Sequence, residues 1–178
     1  MDISTVFPYL ISEGYPPSKA GFEQDIGHGI RLTVVVNLDE LVRNLKADDI
    51  QSLSLSWDEV LNRAIENLDS LAHNRKIGMQ LFESGPAGLP FILVGGHWAA
   101  SALMVAPRFR SVAIGALQTE NVCVSIPHRE ALIAFPKGDS SSRDAMRAMV
   151  REKEAGGMKP LTWELFELME TGPAPLGG

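Results

Sequence analysis

The side chains of this chain best suited to chemistry form a polar corner, Pro127-His128-Arg129-Glu130, between two apolar stretches. An imidazole exchanges a proton near neutral pH, and a guanidinium binds carboxylates or backbone carbonyls. Polar loops carried on a rigid sheet are common binding sites. A structural interpretation fits equally well, namely a β-corner in which Arg129 pairs internally with Glu130. The sequence leaves both interpretations open.

Metal-ligand spacing is absent from the four histidines, which are His28, His73, His97 and His128. The sequence therefore predicts no metal ion, and no motif in it calls for another cofactor. The single cysteine, Cys123, excludes an internal disulfide and a cysteine-based zinc site. Its apolar neighbours Val122 and Val124 are typical of a strand, so we expect a buried and unreactive thiol.

Recognised catalytic motifs are also absent, including the serine-nucleophile elbow, the zinc-protease helix and the Gly-rich phosphate and dinucleotide loops. His97 and Trp98 follow Gly95-Gly96, where a strand-to-helix turn is expected. Such a turn either offers N–H groups to an anion or is simply tight. An enzyme of unknown reaction, with a site assembled around His97, His128 and Arg129, is therefore the alternative to a non-catalytic protein.

The elements that must position these residues follow from hydrophobic spacing. The clearest is a one-sided helix over residues 58–72, with Ser56 and Glu59 in the spacing of a capping box. Further helices are predicted over residues 38–45, 98–105, 143–154 and 163–169. Strands are predicted over residues 30–38, 77–82, 89–94, 122–126 and 131–135, and residues 112–118 fit a strand or an irregular connection.

This order predicts an α+β protein in which a mixed or antiparallel sheet is covered by helices. We expect one domain over residues 1–171, with a less regular segment at 1–21 and a disordered tail at 172–178. The helix over residues 58–72 is expected to pack on a sheet formed by the hairpin strands 77–94 and the corner strands 122–135.

The composition is that of an ordinary soluble protein, with 45% apolar and 21% charged residues among 178. A net charge of −6 argues against a partner made of nucleic acid. Residues 89–107 carry no charged side chain, but two glycines and two prolines interrupt or bracket them, so a membrane span is not expected. The first residues lack the features of a signal peptide, and cytoplasmic localisation is expected.

One family resemblance is carried by residues spread along the chain. These are Trp57, Ala64, Asn67-Leu68, Gly95, Ala99-Ala100-Ser101, Val124-Ser125-Ile126-Pro127-His128, Leu132-Ile133 and Pro160-Leu161-Thr162. Over residues 30–161 the chain resembles the C-terminal portion of the YtpQ-like bacterial family, whose function is unknown. The family pattern has an acidic residue soon after Gly95, where this chain has His97-Trp98. The resemblance implies the order of elements and no particular activity.

The absence of a catalytic set and the acidic charge together predict a non-catalytic protein that binds another protein, with a basic partner favoured. A toxin-neutralising (immunity-type) protein or an adaptor would fit. The acidic candidates are Asp39-Glu40, Asp48-Asp49 and the set Glu164, Glu167 and Glu170. The residues selected as the binding set are His97, Trp98, His128, Arg129, Glu130, Asp48 and Asp49. A basic stripe, Arg143-Arg147-Arg151, is either a surface for an acidic partner or a solvated helix face. The sequence does not indicate an oligomeric state.

Overall fold

Two antiparallel sheets and four α-helices form the described part of the chain, residues 1–13, 22–38 and 41–177 of a computed structural model. This is the α+β architecture that the sequence predicts. The prediction of a single sheet is wrong, because the first strands of the chain build a sheet of their own.

The first sheet is built around one long strand, whose first and last residues are those that the sequence predicts. Its strands are β1 (Val6–Ser12), β2 (Gln24–Gly27), β3 (Ile30–Leu38) and β4 (Leu41–Asn44). One edge of β3 pairs with β1 along its length, and the other edge pairs first with β2 and then with β4. The valines at 34–36 are buried, as expected for a central strand.

Two sequence predictions fail in this region. The described residues of the predicted helix over 38–45 are not helical, because residues 41–44 pair with the end of β3 and satisfy its backbone groups. Helix α1 (Ala47–Leu53) starts only afterwards. The N-terminal segment is more regular than expected, since β1 occupies residues 6–12. Residues 14–21, and Asp39 and Glu40, lie outside the described part of the chain.

Helix α2 (Trp57–His73) confirms the predicted helix and its capping box. The backbone N–H of Ser56 donates to Glu59 Oε2 at 2.7 Å, and the N–H of Glu59 donates to Ser56 Oγ at 3.3 Å. The helix packs on the first sheet, however, and not on the sheet that the sequence predicts. Val60 and Ala64 are buried with side chains of β1 and β3 in one cluster.

The second sheet contains six strands in the order β10-β9-β7-β8-β6-β5. They are β5 (Gly78–Phe82), β6 (Phe91–Gly95), β7 (Val122–Ser125), β8 (Ala131–Pro136), β9 (Leu165–Met169) and β10 (Gly172–Pro175). The two predicted strand pairs are confirmed: β5 pairs with β6, and β7 pairs with β8 across the polar corner.

The end of the chain differs from the prediction. Residues 163–169 are not a helix, since residues 165–169 form β9. Residues 172–175 are not disordered, since they form β10, which pairs with β9. The spacing of Leu165, Phe166 and Leu168 suits either a helix or a strand. The outer edge of β7 decides between them, because Val124 lies opposite Phe166 there and its strand requires a neighbour.

A short buried 3-10 helix (Ala100–Val105) and helix α3 (Pro107–Leu117) lie on the face of the second sheet that meets the first, whereas helix α4 (Ser140–Glu154) packs on the opposite face. The predicted buried helix before Pro107 is thus confirmed in 3-10 form. Residues 112–118 are not a strand, since most of them belong to α3. Helix α4 begins earlier than predicted, because Asp139 caps it by accepting from the N–H of Ser142 at 2.8 Å.

The largest core cluster joins both sheets. It contains Leu10 and Leu32 from the first sheet, Val94 and Phe166 from the second, and Leu103 from the 3-10 helix. Each of these side chains is at most 4% exposed. The two sheets are therefore held together by apolar packing, and the 3-10 helix fills the space between them.

Candidate functional site

The polar corner that the sequence selects is mostly buried. Arg129 is 2% exposed and His128 is 9% exposed, whereas Glu130 lies on the surface. Backbone bonds hold the corner from several sides: Arg129 C=O accepts from Ser101 N–H, and Pro127 C=O accepts from Leu161 N–H. An incoming molecule therefore has little access to these imidazole and guanidinium groups.

Arg129 joins the second sheet to the first. Its Nε donates to the carbonyl of Leu10 at 3.1 Å, and its Nη1 donates to the hydroxyl of Tyr9 at 2.7 Å. The guanidinium carbon also lies 4.5 Å from the centroid of the Tyr9 ring, within cation–π range. The internal Arg129–Glu130 pair of the structural interpretation is not among the ion pairs of the described residues. Arg129 therefore has its partners on β1 and not within the corner.

His128 is held on the opposite side. Its Nε2 lies 2.9 Å from Glu154 Oε2 at the end of α4, and the ring packs against Gly157. This contact fixes the corner to α4. The two best catalytic candidates therefore point to different structural partners, and together with His97 they do not form one accessible site.

His97 and Trp98 continue an aromatic series that reaches the corner. The ring centroids of Trp98 and Tyr9 are 5.9 Å apart, those of Trp98 and Phe7 are 5.7 Å apart, and His97 lies 5.1 Å from Trp98. Nδ1 of His97 accepts from the N–H of Ala99 at 3.2 Å, and partial burial lowers the pKa of His97. A neutral imidazole in this place favours a packing role over a charged binding role.

Of the two neighbouring acidic residues on α1, only one is exposed for contact with a partner. Asp48 is exposed, but Asp49 forms a two-bond ion pair with Arg43, at 2.6 and 3.0 Å, and accepts from the N–H of Lys46 at 2.9 Å. The side-chain hydrogen bond from Arg43 lowers the pKa of Asp49 to about 2. Asp49 therefore stabilises the start of α1. Glu167 is engaged in the same way, by Lys137 at 2.7 Å.

Two other features of the sequence, Cys123 and the basic stripe, are occupied by contacts within the protein. Cys123 is fully buried, and burial is the main reason that its pKa rises to about 11, which agrees with an unreactive thiol. Arg147 contacts Asp144 at 3.2 Å and Glu164 at 3.6 Å, so the basic stripe is partly neutralised. No group of three potential metal ligands occurs among the described residues, and none of the helices found there is long and apolar enough to cross a membrane.

A groove that sequence reasoning missed runs along one side of α2. Two cavities, of about 510 and 640 Å³, share Ile65 at their junction. Leu61, Ile65 and Asp69 recur every four residues, so they form one stripe along the helix, about 12 Å long at 1.5 Å per residue. We call these two cavities the α2 groove.

Side chains from distant parts of the chain complete the α2 groove. One end is lined by β2 and by the turn and strand at residues 171–175, with Val105 at its base; the other is lined by Pro107 and Arg108 at the start of α3. One signal of this groove is present in the sequence. The apolar face of α2 includes Leu61 and Ile65, yet both side chains are only half-buried. The apolar face of the helix is therefore wider than the sheet beneath it can cover.

The charged groups of the α2 groove are mostly acidic. Of the described residues that line it, Asp25, Glu66 and Asp69 are acidic and Arg108 alone is basic. Burial raises the pKa of Asp69, and the charge of Arg108 opposes that rise only in part. A carboxylate kept partly desolvated at the wall of a cleft is characteristic of functional sites, because it costs stability where it stands.

The negative net charge of the chain lies in the same part of the protein as the α2 groove. Residues 1–73, which supply the first sheet, α1 and α2, contain 12 acidic and 5 basic side chains, a net charge of −7. The remaining residues contain 10 acidic and 11 basic side chains. The acidic excess that the sequence analysis noted for the whole chain therefore belongs to the part that carries the α2 groove.

No family model, no curated protein and no solved structure matches this chain. The resemblance to the YtpQ-like family therefore stays a prediction from the residues quoted above.

Proposed function

We propose that this protein binds another protein, and that the α2 groove receives a partly apolar, basic segment of that partner. The observation that carries the proposal is the stripe of Leu61, Ile65 and Asp69, which presents apolar side chains and a partly desolvated carboxylate in one continuous groove. Grooves of this kind bind helical or extended segments by their apolar anchors.

The charge of the groove argues for a basic segment. Glu66 is paired with Arg63, but both side chains are 62% exposed, and such surface pairs contribute little free energy. A cation from a partner can therefore contact Glu66 and Asp69 at small cost. The charge of −7 over residues 1–73 would also speed association with a basic partner, and salt would slow it.

The enzyme alternative receives less support from the geometry. Arg129 and His128 are buried and satisfied by Tyr9, Leu10 and Glu154, so they are unavailable to a substrate. A toxin-neutralising protein and an adaptor both remain within the proposed class. They differ in the partner: a neutralised toxin loses its enzymatic activity on binding, whereas an adaptor's partner keeps its activity.

The proposal is tested with a displayed library of random peptides, selected against four forms of the protein. The forms are the wild type, the groove variants Ile65→Arg and Asp69→Lys, and the control Glu152→Lys, which makes the same kind of charge change on the exposed face of α4. Wild type and control should enrich peptides that combine aliphatic residues with Lys or Arg. Thermal unfolding of each variant confirms that the fold is retained.

Binding of an enriched peptide is then measured by fluorescence anisotropy. Each groove variant should weaken the Kd by tenfold or more, about 1.4 kcal/mol, while the control stays within twofold of the wild type. Equal affinity in the groove variants, or enrichment of acidic peptides, would contradict the proposal.

A further inference from the structure

Strand β5 forms one outer edge of the second sheet. Its inner edge pairs with β6, and no strand among residues 1–13, 22–38 and 41–177 pairs with its outer edge. Native proteins usually protect such an edge with prolines or charged side chains. The opposite edge strand, β10, has Pro173 and Pro175, whereas residues 78–82 contain neither a proline nor a charge. The outer edge of β5 is therefore open to pairing.

Apolar side chains extend from the core to this edge and remain exposed there. Met79 and Leu81 lie opposite the buried Val94 and Ile92 of β6, so they point to the same face of the sheet as the core. They are nonetheless 40% and 46% exposed. Val112 of α3 is 48% exposed and lines the same 140 Å³ cavity as Met79. A strand added to this edge would cover the patch, and exposed apolar patches of this kind are typical of interaction surfaces.

The charges at the two ends of β5 indicate which strand would be added at its outer edge. Arg75 and Lys76 precede the strand and Glu83 follows it; all three are exposed and form no ion pair with the described residues. When a strand pairs antiparallel with a copy of itself, the beginning of each lies beside the end of the other. Such a pairing brings Arg75 and Lys76 of each copy towards Glu83 of the other, and two-fold symmetry makes the contact twice.

We propose that this chain forms a two-fold dimer in which the β5 strands of two copies pair antiparallel about an axis at Met79, which places Arg75 of each copy opposite Glu83 of the other. The two six-stranded sheets then continue into one, and Met79, Leu81 and Val112 of each copy are covered. This interface is separate from the α2 groove, so the dimer and the proposed binding function can be tested independently.

The dimer is tested by sedimentation velocity over a concentration series. The wild type should approach twice the chain mass of 19.4 kDa. Leu81→Lys places a charge on the apolar patch and should give the monomer. Met158→Lys changes a methionine that is 70% exposed outside β5, and it should leave the dimer intact.

Charge reversal tests the direction of pairing without touching the strand. Glu83→Lys, or Arg75→Glu with Lys76→Glu, places like charges together and should weaken the dimer at least tenfold in Kd. The combination of all three changes restores opposite charges and should recover the dimer. A wild type that stays monomeric at the highest soluble concentration, a dimer that survives Leu81→Lys, or a combined variant that fails to recover would each overturn the proposal.

Discussion

The guanidinium carbon of Arg129 lies 4.5 Å from the centroid of the Tyr9 ring, and its Nη1 donates to the Tyr9 hydroxyl at 2.7 Å. The two residues are 120 positions apart in the chain: Tyr9 lies in β1 of the first sheet, and Arg129 lies in the corner between β7 and β8 of the second. Most of the contact between the sheets is apolar, so this polar contact fixes their relative position in a way that interchangeable aliphatic side chains cannot.

Removing the Arg129 side chain should therefore destabilise the protein strongly. Arg129→Ala leaves the Tyr9 hydroxyl and the Leu10 carbonyl without this donor and opens a cavity, so the free energy of unfolding should fall by about 3 kcal/mol. Tyr9→Phe keeps the ring and removes one hydrogen bond, and it should cost only about 1 kcal/mol. Urea unfolding measures both. A loss for Arg129→Ala no larger than that for Tyr9→Phe would show that the contact is dispensable.

The same substitution should destabilise the protein at one of two adjacent glycines after α4 and have almost no effect at the other. A Cβ at Gly157 would lie 1.9 Å from Cδ2 of His128, whereas a Cβ at Gly156 has no atom within 4 Å. Gly157→Ala must displace the His128 ring from Glu154, which should cost about 1–3 kcal/mol. Gly156→Ala is the matched control and should change stability by less than about 0.5 kcal/mol. Equal melting temperatures for the two variants would disprove the close packing at His128.

The Arg43–Asp49 ion pair should stabilise the protein only above acidic pH. In the folded state the pKa of Asp49 is about 2, below the 3.8 of an ordinary aspartate. The stabilisation is therefore complete above about pH 4 and disappears as the pH falls towards 2. Asp49→Asn should lower the free energy of unfolding by about 1 kcal/mol at pH 7, because the pair is partly exposed.

The pH dependence is measured by urea unfolding between pH 7 and pH 2.5. The difference between wild type and Asp49→Asn should shrink below pH 4. Asp48→Asn is the control, since Asp48 is exposed beside it and has no ion pair among the described residues. A difference that persists unchanged to pH 2.5 would mean that Asp49 acts only as a hydrogen-bond acceptor for Lys46.

Elements that are determined by their own residues could be predicted from the sequence, whereas elements that depend on a distant partner could not. Strand β3 and helix α2 were predictable because the valines at 34–36 and the Ser56–Glu59 capping box act within their own elements. Strand β9 was not, since its apolar spacing is ambiguous and the edge of β7 that decides it lies about 40 residues earlier in the chain. The prediction failed where a strand depends on a partner that the local pattern does not name.

The same limit applies to the candidate sites. His128 and Arg129 were selected from the sequence as binding candidates, but their contacts are with Glu154, Tyr9 and Leu10, which no spacing rule connects to them. The α2 groove was missed for a related reason. Its walls come from β2, α3 and β10, and sequence analysis placed none of these three elements.

Asp69 should show a trade-off between stability and binding. Burial raises its folded-state pKa above that of the unfolded chain, so the unfolded state releases the proton first as the pH rises. The folded state loses stability through that range, and at pH 7 the charged carboxylate is a net cost. Asp69→Asn should therefore raise the free energy of unfolding at pH 7, by less than about 1 kcal/mol because Asp69 is only partly buried.

The gain in stability should disappear below about pH 4, where the wild-type carboxyl is protonated in both states. The same substitution should weaken binding of the basic peptides selected for the α2 groove, because it removes the carboxylate that contacts their cations. Glu152→Gln, on the exposed face of α4, should change neither property. If Asp69→Asn instead lowered stability at pH 7 and left peptide affinity unchanged, Asp69 would be a structural residue paired with Arg108, and the α2 groove would lose its electrostatic anchor.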